Sequence, residues 1–542
     1  MELTGQSKTL FKGTLILTVA ALLTKILSAI YRVPFQNIVG DVGFYIYQQV
    51  YPFYGIAIAL STYGFPVVIS KLYAEEIEKG KEGNPRQLVG TSIIFLYSFG
   101  FIGSALLYGL SNSLAQSMQD PQLAPLLRLV SIVFLIMPAI SLFRGVFQGY
   151  GDMMPTAVSQ VSEQLIRVVT ILATAFILVN QHASLYTVGA GAVFGSITGG
   201  ITSVIILFTF AYKLRRKVPL VGRIQFQQTR NILKRLITQG LPICISSMLL
   251  VLIQLADSLN LYSLLIDSGI HTTYAKELKG VYDRGQPLIQ LGTVVATSMS
   301  LSLVPLITKE KMHKNVDVLR EKIQLALKTS ILVGVGATMG LYSIIKPTNT
   351  MLFEDNAGSQ VLAMLTVVIL LASIIMTATA VLQGLGHTYF PAMMVLVAFL
   401  LKYGLNAILV PAFGTFGASI ASVLSLLSIL VLFIVKLHKI MGKPMLDMRF
   451  YVMNVLSAFA MVVVLKLYLI SSDFIYDFGY SERLMSSIQA ITALIVGGLV
   501  YIALMIKTQL LTEKDLYLLP FGSKLMFFLP KKSRRGRVDE KN

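Results

Sequence analysis

The chain has 542 residues, of which 55% are hydrophobic and only 13% charged, with a mean hydropathy of +0.73. A soluble protein of this length would divide into several polar-surfaced domains; this composition places the length in membrane spans instead. A single cysteine, Cys244, excludes an intramolecular disulfide and a Cys-based metal site, and the net charge of +19 has to be set against topology before it is read as affinity for nucleic acid.

The first apolar run, Gly13 to Gly40, is long enough to cross a bilayer and too long for a cleaved signal segment, so it is expected to remain as a span. It carries Lys25 and Arg32. Seven helical residues turn through about 700°, close to two full turns, so one face of one helix presents both cations, ~10 Å apart along its axis. Such a charge costs about 2.5–3.5 kcal/mol at the centre of a membrane helix and usually faces a cavity or a partner. Arg32 alone could snorkel to the nearer surface, whereas the dozen apolar or small residues before Lys25 favour a cavity.

Runs of sufficient length follow at 45–70, 88–110, 124–147, 156–179, 186–212, 236–265, 286–307, 322–345, 360–385, 390–411, 416–437, 450–470 and 486–508, the first being 11–36. They are too long for barrel strands and lack strict alternation, so the fold class is an all-α polytopic membrane protein with about fourteen transmembrane helices. Basic residues cluster after alternate spans. Lys71, Lys79, Lys81 and Arg86 follow the second; Lys213, Arg215, Arg216, Lys217, Arg223, Arg230, Lys234 and Arg235 follow the sixth. Lys309, Lys311, Lys314, Arg320 and Lys322 follow the eighth, and Lys436, Lys439, Lys443 and Arg449 the twelfth. The loops after spans three, five and eleven have no Lys or Arg. The positive-inside rule then makes both termini cytoplasmic, as an even span count requires. Most of the positive charge is thereby assigned to orientation and to anionic membrane lipids, including a basic, aromatic tail (KLMFFLPKKSRRGR), and nucleic acid is not expected as a partner.

The chain also repeats itself. VFQGYGDMMPTA at 146–157 matches VLQGLGHTYFPA at 381–392, about 235 residues on. YPFYG and GFPVVISK in the second span correspond to QPLIQLG and LVPLITK in the eighth, with Pro52 and Pro287, and Pro66 and Pro305, at a similar offset. GAGAVFGS and GTFGASIAS add a looser third pair. Three matches in the same order indicate a parallel duplication. The expected organisation is an N-terminal six-helix lobe (1–235), a C-terminal six-helix lobe (236–445), two further helices (446–510) and a basic cytoplasmic tail (511–542). The four prolines are hinge candidates because each frees backbone groups in a helix.

Ionisable residues inside the spans are mostly cationic: Lys25, Arg32, Arg167 and Lys402, with Arg128 and Arg284 near span ends, against Glu163, Asp257 and Asp283. Glu163 and Arg167, four apart, are expected to pair, and Asp257 to serve one of the cations as counter-ion. A cavity so lined selects an anion carrying phosphate or carboxylate. His182, His271, His313, His387 and His438 lie in or near loops without metal spacing, and neither paired intramembrane carboxylates nor a Walker motif occurs. The expectation is a transporter rather than an enzyme, with no cofactor and no metal.

The six-plus-six-plus-two plan, with FKGTLILTVAALLTKILSAIYRVPFQNIVG, GFPVVISKLYAE, FRGVFQGYGDMMPTAVSQVSEQLIRV and YDRGQPLIQLGT…SLSLVPLIT, resembles the multidrug/oligosaccharidyl-lipid/polysaccharide exporter superfamily. Within it the chain is similar to the polysaccharide-transport and stage V sporulation protein B-like group, related to lipid II flippases. The resemblance implies two lobes around a cavity that opens alternately to each side of a bacterial plasma membrane and holds a lipid-linked oligosaccharide. It also implies diphosphate-binding basic residues in the first helix and at the head of the eighth, where Lys25 and Arg284 fall; Arg32 stands one residue from a second such position. Arg167 and Lys402 complete the candidate diphosphate set. Asp257, Asn406 and Glu163 are the candidates for coupling to Na+, H+ or membrane potential. The acidic position of lipid II flippases early in the second helix falls here in the neutral run FYIYQQVY. Two other functions fit the plan: a cation-coupled multidrug exporter, which needs an anionic cavity, and a non-transporting scaffold for envelope or spore synthesis.

Overall fold

The structure is a computed structural model that describes residues 5–80, 83–214, 226–294, 296–298, 303, 307, 316–442, 446–473 and 481–510. Pro305, His313, the basic residues Lys81, Arg215, Arg216, Lys217, Arg223, Lys309, Lys311, Lys314 and Lys443, and the 511–542 tail lie outside these. Every regular element among the described residues is helical. In chain order they are α1 (Gly5–Ile30), α2 (Arg32–Ile58), α3 (Phe65–Glu78), α4 (Pro85–Ser117), α5 (Ala124–Tyr150), α6 (Met154–Asn180), α7 (Leu185–Leu214), α8 (Phe226–Arg235) and α9 (Leu241–Ser246). There follow α10 (Leu249–Asp267), α11 (Thr272–Asp283), α12 (Gly285–Gly292), α13 (Val316–Ser343), α14 (Ile345–Phe353), α15 (Ser359–Gly384), α16 (Tyr389–Met441), α17 (Met448–Asp473) and α18 (Glu482–Lys507).

Eleven described stretches are long and apolar enough to cross a membrane. Two are of double length, Ile16–Glu78 and Tyr389–Met441, and each is folded back at a glycine. Gly40 has φ 68° and ψ −178°, and Gly414 has φ 57° and ψ −139°. Only glycine holds such a backbone without strain, so the chain reverses there with almost no loop. Pro34 cannot donate to the carbonyl of Ile30, which accounts for the small interruption at Tyr31 between α1 and α2.

Two further irregularities share a cause. Ala59–Gly64 and Leu236–Gly240 are π-helical, and each leads into Gly-x-Pro, at Pro66 and Pro242. A proline four residues beyond a carbonyl leaves it without its helical donor, and a widened turn absorbs the defect. The two defects face one another: a Cβ on Gly64 would lie 2.1 Å from Cys244 Sγ, and one on Gly240 would meet the Phe65 ring at 3.3 Å. The seventh expected span is consequently not one rod. It comprises the π turn, α9, a break at Ser247–Met248 and α10, with Ser246 Oγ and Ser247 Oγ donating to the carbonyls of Pro242 and Cys244. Pro52 is accommodated inside α2 without a break, and Pro287 is the third residue of α12.

Helices α1 to α7 pack on one another, chiefly α6 on α7 and on α1, and α5 on α3, α4 and α7. A second set joins α10 to α16, α13 to α15 and α15 to α16, while α17 and α18 pair and rest on α13 and α14. The two sets meet where α2 lies against α10 and α11, and α1 against α12. Gln49 Nε2 donates to the Ser258 carbonyl at 3.1 Å across this seam, and Gly55 admits Val251.

Candidate functional site

The site grows from α1, the start of α2 and α6. Arg32 is only 1% exposed and its guanidinium lies 4.3 Å from the centroid of Tyr51. Arg167, also 1% exposed, donates through Nη2 to Tyr31 Oη and Tyr47 Oη, both at 2.9 Å, and through Nη1 to Gln164 Oε1 at 3.3 Å. Its guanidinium is 4.4 Å from the Tyr54 centroid and 5.7 Å from that of Tyr51, so the two arginines share the Tyr51 ring. Nε of each has no acceptor among the described residues. Desolvated cation–π contact is worth about 2 kcal/mol, well short of the several kcal/mol that burying a charge costs. Neither arginine has a carboxylate within ion-pair distance among the described residues. Lys25 lies farther down α1, half-buried, with Nζ 6.0 Å from the Tyr63 centroid. Lys25 and Arg32 therefore both face the segment that follows the Gly40 reversal, at Tyr63 and Tyr51 respectively.

The expected Glu163–Arg167 pair is not formed. Glu163 Oε2 instead accepts from Arg144 Nη2 at 2.7 Å. Arg144 is fully buried and also donates to Ser203 Oγ at 3.0 Å, Thr62 Oγ1 at 2.9 Å and Ser159 Oγ at 3.2 Å. It ties α5 to α6, α7 and the π turn ahead of Pro66. An i, i+4 pair on one helix is worth about 0.2–0.5 kcal/mol, and the tertiary contact to Arg144, whose guanidinium three hydroxyls already fix beside Glu163, outcompetes it.

In the second half the cation is neutralised. Lys402 Nζ lies 2.7 Å from Asp257 Oδ1 and donates to Asn406 Oδ1 at 2.9 Å and the Ala418 carbonyl at 2.6 Å. Asn406 Nδ2 donates to Asp257 Oδ1 and to Asn260 Oδ1, and Tyr282 Oη donates to Asp257 Oδ2 at 2.8 Å. Asp257 is thus the counter-ion of Lys402.

Arg284, at the α11–α12 junction, is held by two carboxylates. It reaches Asp41 through Nε (2.9 Å) and Nη2 (2.7 Å), and Asp355 through Nη1 (2.6 Å) and Nη2 (2.9 Å). Asp41 follows the Gly40 reversal and Asp355 the end of α14, so this cluster latches the two helix sets beside a 240 Å³ cavity lined by Gln36, Asn37, Phe353 and Glu354. A second latch lies at the same end, where buried Asp120 accepts from Tyr186 and Tyr45 and lies 3.2 Å from Lys276 Nζ. Asp283 pairs with Lys279.

The hydrogen bonds from Arg284 hold the Asp355 carboxyl below the ordinary carboxylate range. A depressed folded value means that this arm contributes above the ordinary range and is lost only as pH falls through the lowered one. Asp355 is half-exposed, so its share is small. Spin labels at Asn37 and Glu354 are expected to keep one distance from pH 8 to pH 5 and to separate only below about pH 4; separation near pH 6 contradicts this.

Arg144, Asp41, Asp355 and the tyrosine cluster escaped the sequence reading. Arg144 lies in the FRGVFQGYG segment that closes a long apolar run, and that position was its only signal. Asp41 and Asp355 fall between expected spans, and Tyr31, Tyr47, Tyr51 and Tyr54 carry no charge that would single them out in an apolar run.

Residues 10–311 match the family model described as polysaccharide biosynthesis protein. Over 530 residues the chain is 42% identical to the Bacillus subtilis (strain 168) membrane protein YabM, covering 97% of this chain and 98% of that one. It is 25% identical to lipid II flippase MurJ of the same organism (92% and 95% covered) and 27% identical to its stage V sporulation protein B (76% and 80%). Among solved structures, lipid II flippase MurJ in an inward closed conformation superposes with a TM-score of 0.63 at 15% identity, over 91% of this chain and 97% of that one. An inward-facing multidrug resistance MATE family transporter of the MOP superfamily also reaches 0.63, at 17% identity, over 79% and 98%. With the fold of these transporters and a family model spanning more than half its length, the chain is a multi-pass membrane protein that belongs to the polysaccharide biosynthesis protein family.

Proposed function

We propose that the protein is a flippase for an undecaprenyl-diphosphate-linked cell-envelope precursor, lipid II or a related lipid-linked oligosaccharide, in a bacterial plasma membrane. The observation that carries this reading is the pair of buried guanidiniums of Arg32 and Arg167, facing four tyrosines with no carboxylate within ion-pair distance among the described residues. A diphosphate supplies the missing charge and accepts bidentate hydrogen bonds from a planar guanidinium. Homology to a lipid II flippase and to a sporulation protein supports the same substrate class. A cation exporter needs the opposite polarity.

In this reading the eleven candidate helices become fourteen crossings. The two double-length stretches count twice, and 286–307, only partly described, adds the last. Two six-helix lobes then flank the anion site, with both termini cytoplasmic and the Gly40 end outermost. Lys25 leads the anion toward Arg32 and Arg167. Arg284 joins them once Asp41 and Asp355 release it, whereas Lys402, already satisfied by Asp257, stays out. Asp257 and Asn406 act on stability through Lys402.

Growth of cells depleted of their own lipid II flippase tests the proposal. The wild-type chain is expected to restore growth, and the R32A/R167A variant, present at the same level in the membrane, is not. Equal growth with both contradicts it.

A further inference from the structure

Glu163 is placed to disable the anion site, yet it does not. It stands on α6 one turn before Arg167, in the order that favours a Glu–Arg contact. Arg167 has no carboxylate within ion-pair distance among the described residues, and the Glu163 side chain is 13% exposed, not fully enclosed. What holds it away is Arg144 on α5, whose Nη2 takes Glu163 Oε2 at 2.7 Å. Arg144 is itself fixed by Thr62, Ser159 and Ser203, which come from three different elements. We propose that Arg144 is a positioning residue: it sequesters Glu163 so that Arg32 and Arg167 stay open to a phosphate-bearing lipid. Arg144 touches no substrate. Without it, Glu163 swings one turn along α6 onto Arg167, and an internal carboxylate competes for the charge that the ligand needs. This inference rests on the substrate reading above. It adds that three buried arginines, Arg32, Arg144 and Arg167, stand around one carboxylate, Glu163, because one of them is a guard.

The same contacts explain why the guard is an arginine. Four side-chain oxygens on three elements converge on its guanidinium, an arrangement that a planar five-donor group satisfies and a lysine ammonium does not. Thr62 belongs to the widened turn ahead of Pro66, so the sequestering contact is tied to the helix defect at the seam.

The test measures binding of undecaprenyl diphosphate to the purified full-length protein in nanodiscs. R144M is expected to bind at least about tenfold more weakly than wild type, and R144M/E163Q to return to within about threefold, since a neutral amide does not compete. R144K, which keeps a charge beside Glu163, is expected to fall between them. A purely structural role for Arg144 predicts that weaker binding only tracks a lowered unfolding midpoint of the same preparation, so binding lost by R144M only through unfolding overturns the proposal, as does a double variant as weak as R144M or R144M binding like wild type. If R144M does not fold, R144Q, which retains hydrogen bonds but not the charge, takes its place in the same comparison. R32M/R167M separates the two levels. If it binds as well as wild type, the substrate reading fails. If it does not bind while R144M does, the guard role alone falls.

Discussion

Replacing Arg167 with methionine is expected to abolish transport while leaving the melting temperature nearly unchanged. Arg167 is buried and donates to two phenol oxygens, but Tyr31 Oη and Tyr47 Oη are also 2.7 Å from each other. Removing the guanidinium therefore leaves neither hydroxyl without a partner, and it relieves the fold of an unneutralised charge. Hydrogen bonds to a charged group contribute about 1.5–3 kcal/mol each. Losing two of them to a diphosphate lowers affinity by two orders of magnitude or more. Lysine is not expected to substitute, because its single ammonium cannot span two phosphate oxygens in the guanidinium's plane. Transport into proteoliposomes, measured beside thermal unfolding of the same preparation, checks both halves. A variant that transports normally, or one that loses activity only by unfolding, contradicts the assignment.

The opposite pattern is expected at Lys402 and Asp257. K402M leaves a buried carboxylate, and D257N a buried ammonium, in a network where every neighbour is already committed. Breaking a buried pair from one side costs about 3–5 kcal/mol, whereas replacing both partners with apolar residues is often neutral. Each single substitution should lower the unfolding midpoint sharply, and K402M/D257L should recover most of it. The residual loss comes from Asn406 and Tyr282, which lose Asp257 as acceptor. Single variants with wild-type stability and altered ion dependence of transport would instead make Asp257 a coupling residue.

The two cations make the limits of sequence reading concrete. Arg167 stands twelve residues beyond Pro155 and Lys402 eleven beyond Pro391, so each copy of the repeated hairpin leads into a helix that buries a cation at nearly the same place. Charge inside an apolar run was legible. Its partner was not, because partners come from other helices: Asp257 on α10 reaches Lys402, while α1 offers Arg167 no carboxylate. Local spacing suggested Glu163 for Arg167, and a tertiary contact from Arg144 overrode it. Helix content followed from hydrophobicity and length, and the glycine reversals at Gly40 and Gly414 fall between expected spans. The polar stretch that forms α11 carries no apolar run, so only its position beside α2 shows why it is helical. Arg284 was expected at the head of a span and lies there, but its partners Asp41 and Asp355 stand 243 and 71 residues away in the chain.

The central claim is that the buried arginine–tyrosine site holds a diphosphate-bearing lipid. Native mass spectrometry of the protein extracted from its membrane tests this most directly. The expected spectrum shows a bound polyprenyl-diphosphate-linked glycan on the wild-type chain and none on R32M/R167M. A wild-type spectrum with only bulk phospholipid, or the same glycan lipid retained by R32M/R167M, would contradict it.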